Sequence, residues 1–305
     1  MLKLLLALFL CHSGSAFASE PSATEVAEIN LIGSDGQSVH LARSPERVVS
    51  LLPSWTEAVC LLDQCDRLVG IDRYSNWPST LKALPVVGGG FDPDIEGILV
   101  LKPDLVLVGA STKANERLRA LGLNVLMIDA QTYDEVHQAL VTLARVFSLP
   151  RQAAEQRWLQ IEDELAYAVK ALPQPDRNLS VYFEVSAEPY AASPDSFLGQ
   201  TLSRLRLRNI IPSGRGSFPK INPELVVKED PDVMMMSEGN LINLSDRPGW
   251  STLKAVKNHH LCLFAKDVAN VIVRPGPRMA EGARAIVDCL RKQAGLSSID
   301  AEVTR

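Results

Sequence analysis

Several features that point to common protein functions are missing from this chain of 305 residues. Basic residues are not in excess, because 31 Lys and Arg stand against 36 Asp and Glu and give a net charge of −5. A nucleic-acid partner is therefore not expected. No apolar run approaches the roughly 20 residues that a membrane-spanning helix needs. The five cysteines include no C-x-x-C pair of the kind that holds zinc.

Motifs for catalysis are also lacking. Gly88-Gly-Gly90 is not followed by the Lys-Ser/Thr of a phosphate-binding loop, so it is interpreted as a turn. Ser50 and Ser54 lie in no G-x-S-x-G elbow. The histidines are too scattered in sequence to argue for a zinc or manganese site. We therefore predict no catalytic residue, no metal ligand and no cofactor.

The N-terminus has the pattern of an export signal. Lys3 supplies a positive charge, Leu4–Leu10 is a short apolar run, and Ala16-Phe-Ala18 matches an A-x-A cleavage site. We expect residues 1–18 to be removed and the mature protein to be periplasmic. An uncleaved anchor is one alternative. Lipid attachment at Cys11 is another, although Leu10 before it is bulky for a lipoprotein cleavage site.

Four cysteines remain after cleavage, an even number that permits disulfides in an exported protein, with three possible connectivities. Cys60 and Cys65 lie at the end of one predicted helix and in the following turn. Cys262 lies on a late strand and Cys289 on the last helix. We favour the pairs 60–65 and 262–289, with buried free thiols as the alternative.

Strands and helices alternate along most of the chain, which is typical of parallel sheets. In the first half, strands are predicted at 47–52, 68–71, 104–109 and 124–128, and helices from Pro53 through Cys60, at 113–121 and at 132–147. In the second half, strands are predicted at 179–185, 232–236 and 260–264, and helices at 195–206, 223–229 and 277–293. Between the halves, residues 151–172 contain no Gly or Pro and carry apolar residues at helical spacing, which predicts one long helix.

One short device occurs twice, at Phe91–Val108 and Phe218–Met236, and its Glu and Pro-Asp residues recur 128 positions apart. In each copy a Glu opens a short apolar helix, Pro-Asp follows, and a buried strand comes next. The repeat predicts an α/β fold of two similar lobes, each with a central sheet flanked by helices, and a ligand cleft between them. We assign residues 19–148 to the N-terminal lobe, 149–174 to the connector helix and 175–305 to the C-terminal lobe.

Four segments resemble one known family, the helical-backbone periplasmic binding proteins: Arg47–Glu57, Leu68–Pro78, Leu101–Asp104 and Arg274–Arg278. Members are the substrate-binding components of ABC importers for vitamin B12, ferric siderophores and haem, and the vitamin B12 branch is the most similar. The resemblance runs from about Arg47 to Leu290. It implies a small-molecule ligand, a membrane permease as partner, a monomer, and no enzyme activity.

The resemblance also implies roles for individual residues. Tyr74 matches a tyrosine that packs on the corrin, Phe218 matches a tryptophan of the cleft, and Arg274 matches an arginine at the ligand's edge. Further candidates for ligand binding on equivalent loops are Ser54, Trp55, Trp77, Phe91 and Tyr190. By position, Glu96 and Glu224 match the two glutamates that dock onto permease arginines, and carboxylate–guanidinium pairs suit such docking. Solvated helix-start glutamates are the alternative interpretation.

The sequence leaves the identity of the ligand open. Gly90 stands where vitamin B12 receptors have a cleft tryptophan, and Asn270 where they have an aspartate. A cobalamin-like corrinoid or another metal chelate is the first expectation. A haem receptor would need an axial ligand, for which Tyr74 or Tyr190 could serve. A ferric-siderophore receptor would use cleft arginines, of which Arg73, Arg215, Arg274 and Arg278 are the candidates. An exported metal-handling enzyme is the third alternative.

Overall fold

The computed structural model describes residues 28–172, 178–186, 188–241, 244 and 247–293. The predicted leader, residues 1–18, lies outside them. The described chain begins with an antiparallel hairpin of β1 (Ile29–Ile32) and β2 (Ser38–Leu41). Among the described residues, no helix combines the length and the apolar character needed to cross a bilayer.

The N-terminal lobe contains a four-stranded parallel sheet in the order β4-β3-β5-β6. Its strands are short apolar segments buried on both faces, as expected for a parallel sheet covered by helices. They are β3 (Val48–Ser50), β4 (Leu68–Ile71), β5 (Leu105–Val108) and β6 (Val125–Met127). The helices of this lobe are α1 (Pro53–Leu61), α2 (Ile95–Val100), α3 (Asn115–Ala120) and α4 (Tyr133–Val146). Thr132 and Glu135 form a capping box at the start of α4.

A single helix, α5 (Arg151–Ala171), connects the lobes. One of its faces is buried at helical spacing through Ala154, Trp158, Ile161, Leu165 and Ala168. The buried face packs against α4 of the first lobe and against α10 (Met279–Lys292) of the second. The predicted connector helix is therefore confirmed.

The C-terminal lobe repeats the plan of the first. Its strands are β7 (Ser180–Ser186), β8 (Tyr190–Ala191), β9 (Arg208–Asn209), β10 (Val233–Ser237) and β11 (Leu261–Phe264), in the order β11-β10-β7-β8, with β9 also paired to β7. The helices, besides α10, are α6 (Phe197–Arg204), α7 (Pro223–Glu229), α8 (Lys254–Lys257) and α9 (Lys266–Ile272). The parallel series β6-β5-β3-β4 corresponds to β11-β10-β7-β9, and β8 is an additional strand antiparallel to β7. The prediction of two similar α/β lobes is therefore confirmed.

The Pro-Asp pair of the repeated device performs the same structural task in both lobes. The carboxylate of Asp104 accepts the backbone N–H groups of Glu46 and Arg47, at 2.8 and 3.0 Å, just before β3 begins. The carboxylate of Asp232 accepts the N–H of Ser180, at 2.7 Å, where β7 begins. Each aspartate therefore fixes the start of its own strand to the start of the neighbouring parallel strand.

Both favoured disulfides are present. Cys60 is bonded to Cys65 with their Cα atoms 4.4 Å apart, which closes the turn after α1. Cys262 is bonded to Cys289 with their Cα atoms 5.8 Å apart, which fastens β11 to α10. Among the described residues, no group of three or more His, Cys, Asp or Glu side chains is placed to hold a metal ion.

Candidate functional site

A cavity of about 380 Å³ lies where the two lobes meet. Its N-terminal wall consists of residues that directly follow β3, β5 and β6, because the carboxyl ends of parallel strands share one edge of a sheet, where ligands of open α/β folds bind. Its C-terminal wall comes from Phe218 and from the end of α9 with the loop after it. The lining residues are Leu52–Trp55, Gly109–Ser111, Asp129–Gln131, Phe218, Asn270 and Val273–Pro275.

Two other cavities, of about 490 and 390 Å³, adjoin each other between the β1–β2 hairpin and α4. They are as large as the interlobe cavity, but only one lobe lines them. The interlobe cavity is the better candidate because both lobes and three strand ends converge on it.

Ser54 and Trp55 form the floor of the interlobe cavity at the start of α1. Both are almost fully buried. The indole Nε1 of Trp55 donates a hydrogen bond to the carbonyl oxygen of Ile128 at 2.9 Å, which ties α1 to the end of β6. Trp55 thus forms part of the floor with only 1% of its surface exposed. Its role in ligand binding stays a prediction.

Phe218 and Arg274 supply the C-terminal wall. Phe218 is half-buried, and its ring meets that of Phe197 edge to face with centroids 6.4 Å apart. The Arg274 guanidinium lies between the lobes: Nη1 is 2.6 Å from Glu57 Oε1, and Nη2 donates to the carbonyl oxygen of Tyr74 at 3.2 Å. Arg274 therefore joins the C-terminal lobe to two elements of the N-terminal lobe.

Tyr74 and Phe91 are exposed aromatic side chains of the N-terminal lobe, with 56% and 67% of their surface accessible. They lie on neighbouring loops, which are joined by an ion pair between Arg73 and Asp92 at 2.7 Å. Gly89 lies close to the ring of Tyr74, since a Cβ built on this glycine would be 3.4 Å from Tyr74 Cε2. Neither aromatic lines the interlobe cavity itself, but Arg274 fixes the backbone of Tyr74 to the cavity wall.

Tyr190 and Trp77 also do not line the interlobe cavity. Tyr190 is 36% exposed on β8, pairs with Lys220 by a β-bridge, and has the Lys220 ammonium 5.9 Å from its ring centroid. Since Lys220 follows Phe218 by two residues, Tyr190 belongs to the same surface of the C-terminal lobe. Trp77 lines a separate cavity of about 170 Å³ and packs against the Arg278 guanidinium, 5.3 Å from the ring centroid.

A buried acidic side chain that sequence reasoning missed lies behind the cavity wall. Glu57 on α1 is 2% exposed and contacts both Arg274 and, at 3.5 Å, Arg278. Burial raises the pKa of Glu57, and the two guanidinium groups oppose this effect. A signal was available in the sequence, because an acid inside the apolar run of α1 requires a partner and Arg274-Pro-Gly-Pro-Arg278 offers two.

Asp72 is a second buried acid that the sequence did not reveal. Its carboxylate accepts hydrogen bonds from the N–H of Tyr74, at 2.7 Å, and from the hydroxyl of Ser75. Burial raises the pKa of Asp72, and the hydrogen bond from Ser75 is the largest of the opposing effects. Asp72 therefore shapes the loop that carries Tyr74.

Glu96 and Glu224 occupy matching exposed positions in the first turns of α2 and α7. The side chains of Asp94 and Asn222 cap the two helices. Each helix leads into a parallel strand, so its first turn lies at the edge of the sheet where the strands end. We therefore place both glutamates on the cleft side of their lobes, and neither lines the cavity.

Known proteins resemble this chain over most of its length. The family model described as periplasmic binding protein matches residues 48–268. An uncharacterized ABC transporter substrate-binding lipoprotein of Bacillus subtilis is 28% identical over 278 residues, covering 88% of this chain and 87% of the relative. A cobalamin-binding protein of Halobacterium salinarum is 28% identical over 255 residues, covering 80% and 69%. The crystal structure of a possible iron-binding periplasmic protein of Staphylococcus epidermidis superposes with a TM-score of 0.71 at 24% identity, covering 82% and 100%.

Proposed function

The chain belongs to the periplasmic binding protein family, and from that membership we propose that its ligand is a cobalamin-like corrinoid. Its role is that of the substrate-binding component of an ABC importer, not that of an enzyme. The Halobacterium relative named as a cobalamin-binding protein supports this choice of ligand. We further propose that the protein acts as a monomer, without a bound cofactor of its own.

The observation that carries the proposal is the arrangement of aromatic side chains around the interlobe cavity. Tyr74 and Phe91 on one lobe, and Phe218 and Tyr190 on the other, offer ring faces beside an opening that both lobes line. A corrin ring has broad apolar faces and polar amides at its edge, so aromatic walls with few charged groups suit it. A cavity of about 380 Å³ can accept part of such a ligand, with the rest covered by the exposed rings.

Haem is the second candidate, because the structure exposes two phenol side chains beside the cleft. Tyr74 and Tyr190 are each accessible enough to approach a metal centre, and tyrosine is an established axial ligand of haem iron. A ferric siderophore has less support, because its anionic groups would need unpaired arginines, and three of the four candidates are paired with acids: Arg73, Arg274 and Arg278.

A titration followed by visible spectroscopy and thermal melting tests the ligand. The purified mature protein would be mixed with cyanocobalamin, hemin or a ferric hydroxamate. We expect saturable binding of cyanocobalamin, and ligand at 100 times its Kd should stabilise the fold by about 2.7 kcal/mol. Stabilisation by hemin alone, with a shift of the Soret band, would assign the protein to haem. A protein that responds to none of these probes would contradict the proposal.

We propose that Glu96 and Glu224 dock the protein onto the permease of the importer. Both are exposed, and their equivalent positions allow one two-sided permease to engage both lobes at once. Neither lines the cavity, so replacing both with alanine should leave the ligand Kd unchanged while abolishing ligand-stimulated transport, and each single change should give a partial loss. Normal transport by the double variant in proteoliposomes would contradict the docking role and leave both glutamates as acids that stabilise the starts of their helices.

We also propose export with removal of the leader after Ala18. The mass of the mature protein and its N-terminal sequence test this directly. A mature N-terminus at Ser19 is the expected result. A lipid-modified Cys11 at the mature N-terminus would instead support lipoprotein processing, which the name of the Bacillus relative describes for that protein.

A further inference from the structure

We infer that Glu57 sets the charge preference of the ligand site: by cancelling the charge of Arg274, it makes the cleft select uncharged chelates over anionic ones. The inference rests on the proposed function, because it concerns the ligand that the interlobe cavity takes. Glu57 does not line the cavity, so it acts through Arg274 and is a positioning residue.

The contact between Glu57 and Arg274 is short and shielded from water. Glu57 Oε1 and Arg274 Nη1 are 2.6 Å apart, and the two side chains are 2% and 10% exposed. A buried carboxylate and a guanidinium at this distance act as one neutral unit toward a third group, because each is closer to its partner than to the ligand. Arg274 therefore presents N–H groups to the cavity without a free positive charge.

Arg73 and Arg278, two of the other three candidate arginines near the cleft, have acidic partners as well. Arg73 is paired with Asp92 at 2.7 Å. The guanidinium of Arg278 makes two hydrogen bonds, of 2.7 and 2.8 Å, to the carboxylate of Glu281. Anionic substituents such as propionates or hydroxamates therefore meet cations that are already neutralised.

The second charged residue that lines the cavity is negative. Asp129 is exposed at the end of β6, and its Oδ1 accepts a hydrogen bond from Gln131 Nε2 at 3.1 Å. With Arg274 neutralised by Glu57, the charge on the cavity wall is that of a single carboxylate. An anionic chelate would lose water here without gaining an opposite charge, which is costly. A chelate rimmed by neutral amides can instead accept hydrogen bonds from Arg274.

The structure suggests a substitution that removes the charge and keeps the contact. Glu57→Gln retains an oxygen that accepts a hydrogen bond from Arg274. Arg274 also donates to the carbonyl oxygen of Tyr74 and to Asn76 Oδ1, at 3.2 and 3.4 Å. The guanidinium should therefore stay in place while its charge becomes available to the ligand. Asp72 lies close enough to interact with Arg274. Its carboxylate should therefore offset part of the positive charge that the substitution makes available to the ligand.

The test compares two probes on matched variants. Cyanocobalamin has uncharged amides around its ring, and hemin has two propionates. In Glu57→Gln, we expect the affinity for hemin to rise about tenfold relative to wild type (about 1.4 kcal/mol), and the affinity for cyanocobalamin to change less than threefold. Glu164→Gln is the control, since Glu164 is paired with Arg284 at 2.9 Å and neither residue lines the cavity, and it should change neither affinity. Salt at about 1 M should reduce the gain.

A hemin affinity within twofold of wild type in a folded Glu57→Gln protein would overturn the inference. If that variant does not fold, the salt dependence of the wild-type protein provides the test. Its affinity for hemin should be nearly the same at about 0.05 and about 1 M salt, because no unpaired cation contacts the ligand. A steep loss of affinity with salt would overturn the inference. A wild-type protein that binds neither probe contradicts the proposed function instead, so the two failures are distinguishable.

Discussion

The aspartate of the second repeat, Asp232, provides a test of how the strands of the C-terminal lobe are held together at pH 7 and in acid. Its carboxylate accepts the N–H and the hydroxyl of Ser180, at 2.7 and 2.6 Å, and pairs with Lys254 Nζ at 2.7 Å. The change Asp232→Asn keeps an acceptor for Ser180 and removes the charge that Lys254 contacts. We therefore expect the variant to fold and to be less stable at neutral pH.

The expected loss follows from the pKa of this group. Burial alone would raise the pKa of Asp232, but hydrogen bonds from Lys254 and Ser180 outweigh it and lower the pKa from 3.8 to about 2. Because the pKa is lower in the folded state, the carboxylate stabilises the fold above about pH 4, and the effect disappears as the pH falls through about 2. At about 1.36 kcal/mol per pKa unit the full effect is roughly 2.4 kcal/mol. Since the side chain is 34% exposed, solvent screening reduces it to about 1–2 kcal/mol.

Urea unfolding at pH 7 and pH 3 measures this effect. Asp232→Asn should lower the free energy of unfolding by about 1–2 kcal/mol at pH 7, and by roughly half as much at pH 3, where wild type has lost part of the same contribution. Asp104→Asn is the matched change in the other lobe, where the carboxylate accepts two backbone N–H groups. A deficit for Asp232→Asn as large at pH 3 as at pH 7 would refute the electrostatic reasoning and point to altered packing.

Three further predictions concern the cleft wall and the C-terminal lobe. Phe218→Ala should weaken corrinoid binding by about 1–3 kcal/mol in calorimetry, while the melting temperature of the ligand-free protein should fall only slightly. If the ligand-free variant is instead largely unfolded and its folded fraction binds with normal affinity, Phe218 is a core residue. Replacing Cys262 and Cys289 by serine should lower the free energy of unfolding, measured with denaturant, by about 3–4 kcal/mol, as expected for the length of the loop that the disulfide closes. A variant as stable as the oxidised wild-type protein would contradict this prediction. Gly199→Ala should prevent stable folding, because the new Cβ would lie 1.9 Å from the carbonyl oxygen of Ser193. A melting temperature equal to that of wild type, measured by circular dichroism, would show that α6 can shift to make room.

Much of the fold could be predicted because the deciding information is local. The runs Leu105–Val108 and Val233–Met236 contain only apolar residues, and such runs between turn signals are typical of strands buried on both faces. The absence of Gly and Pro from 151–172 similarly predicted α5. By contrast, α9 was missed, because its seven residues are too few to establish a helical period and its start lacks the Asn-Pro signal that marks α7. The predicted start of the last helix at 277 was two residues early.

The site was less predictable, because its geometry depends on contacts between distant parts of the chain. Trp55 and Trp77 have the side chains expected of a cleft, but their positions depend on distant residues. Trp55 lies in the floor of the interlobe cavity, where the carbonyl of Ile128 accepts its N–H, and Trp77 packs on Arg278 at another cavity. The pair of Glu57 and Arg274 joins residues 217 positions apart. No periodicity or short motif encodes such a pair, although a lone acid in an apolar helix signals that a partner exists.

The interlobe contacts on the two flanks of the cavity have a consequence for binding kinetics. On one flank, Glu57 pairs with Arg274; on the other, the Tyr133 hydroxyl and N–H are hydrogen-bonded to Thr201 and Gln200 of α6, each at 2.9 Å. With α5 bridging the lobes as well, the width of the opening is set before a ligand arrives. Association should then be a single second-order step, with an observed rate that rises linearly with ligand concentration and no saturating closure phase. By microscopic reversibility, release from the free protein should then be a single first-order step with no preceding opening phase.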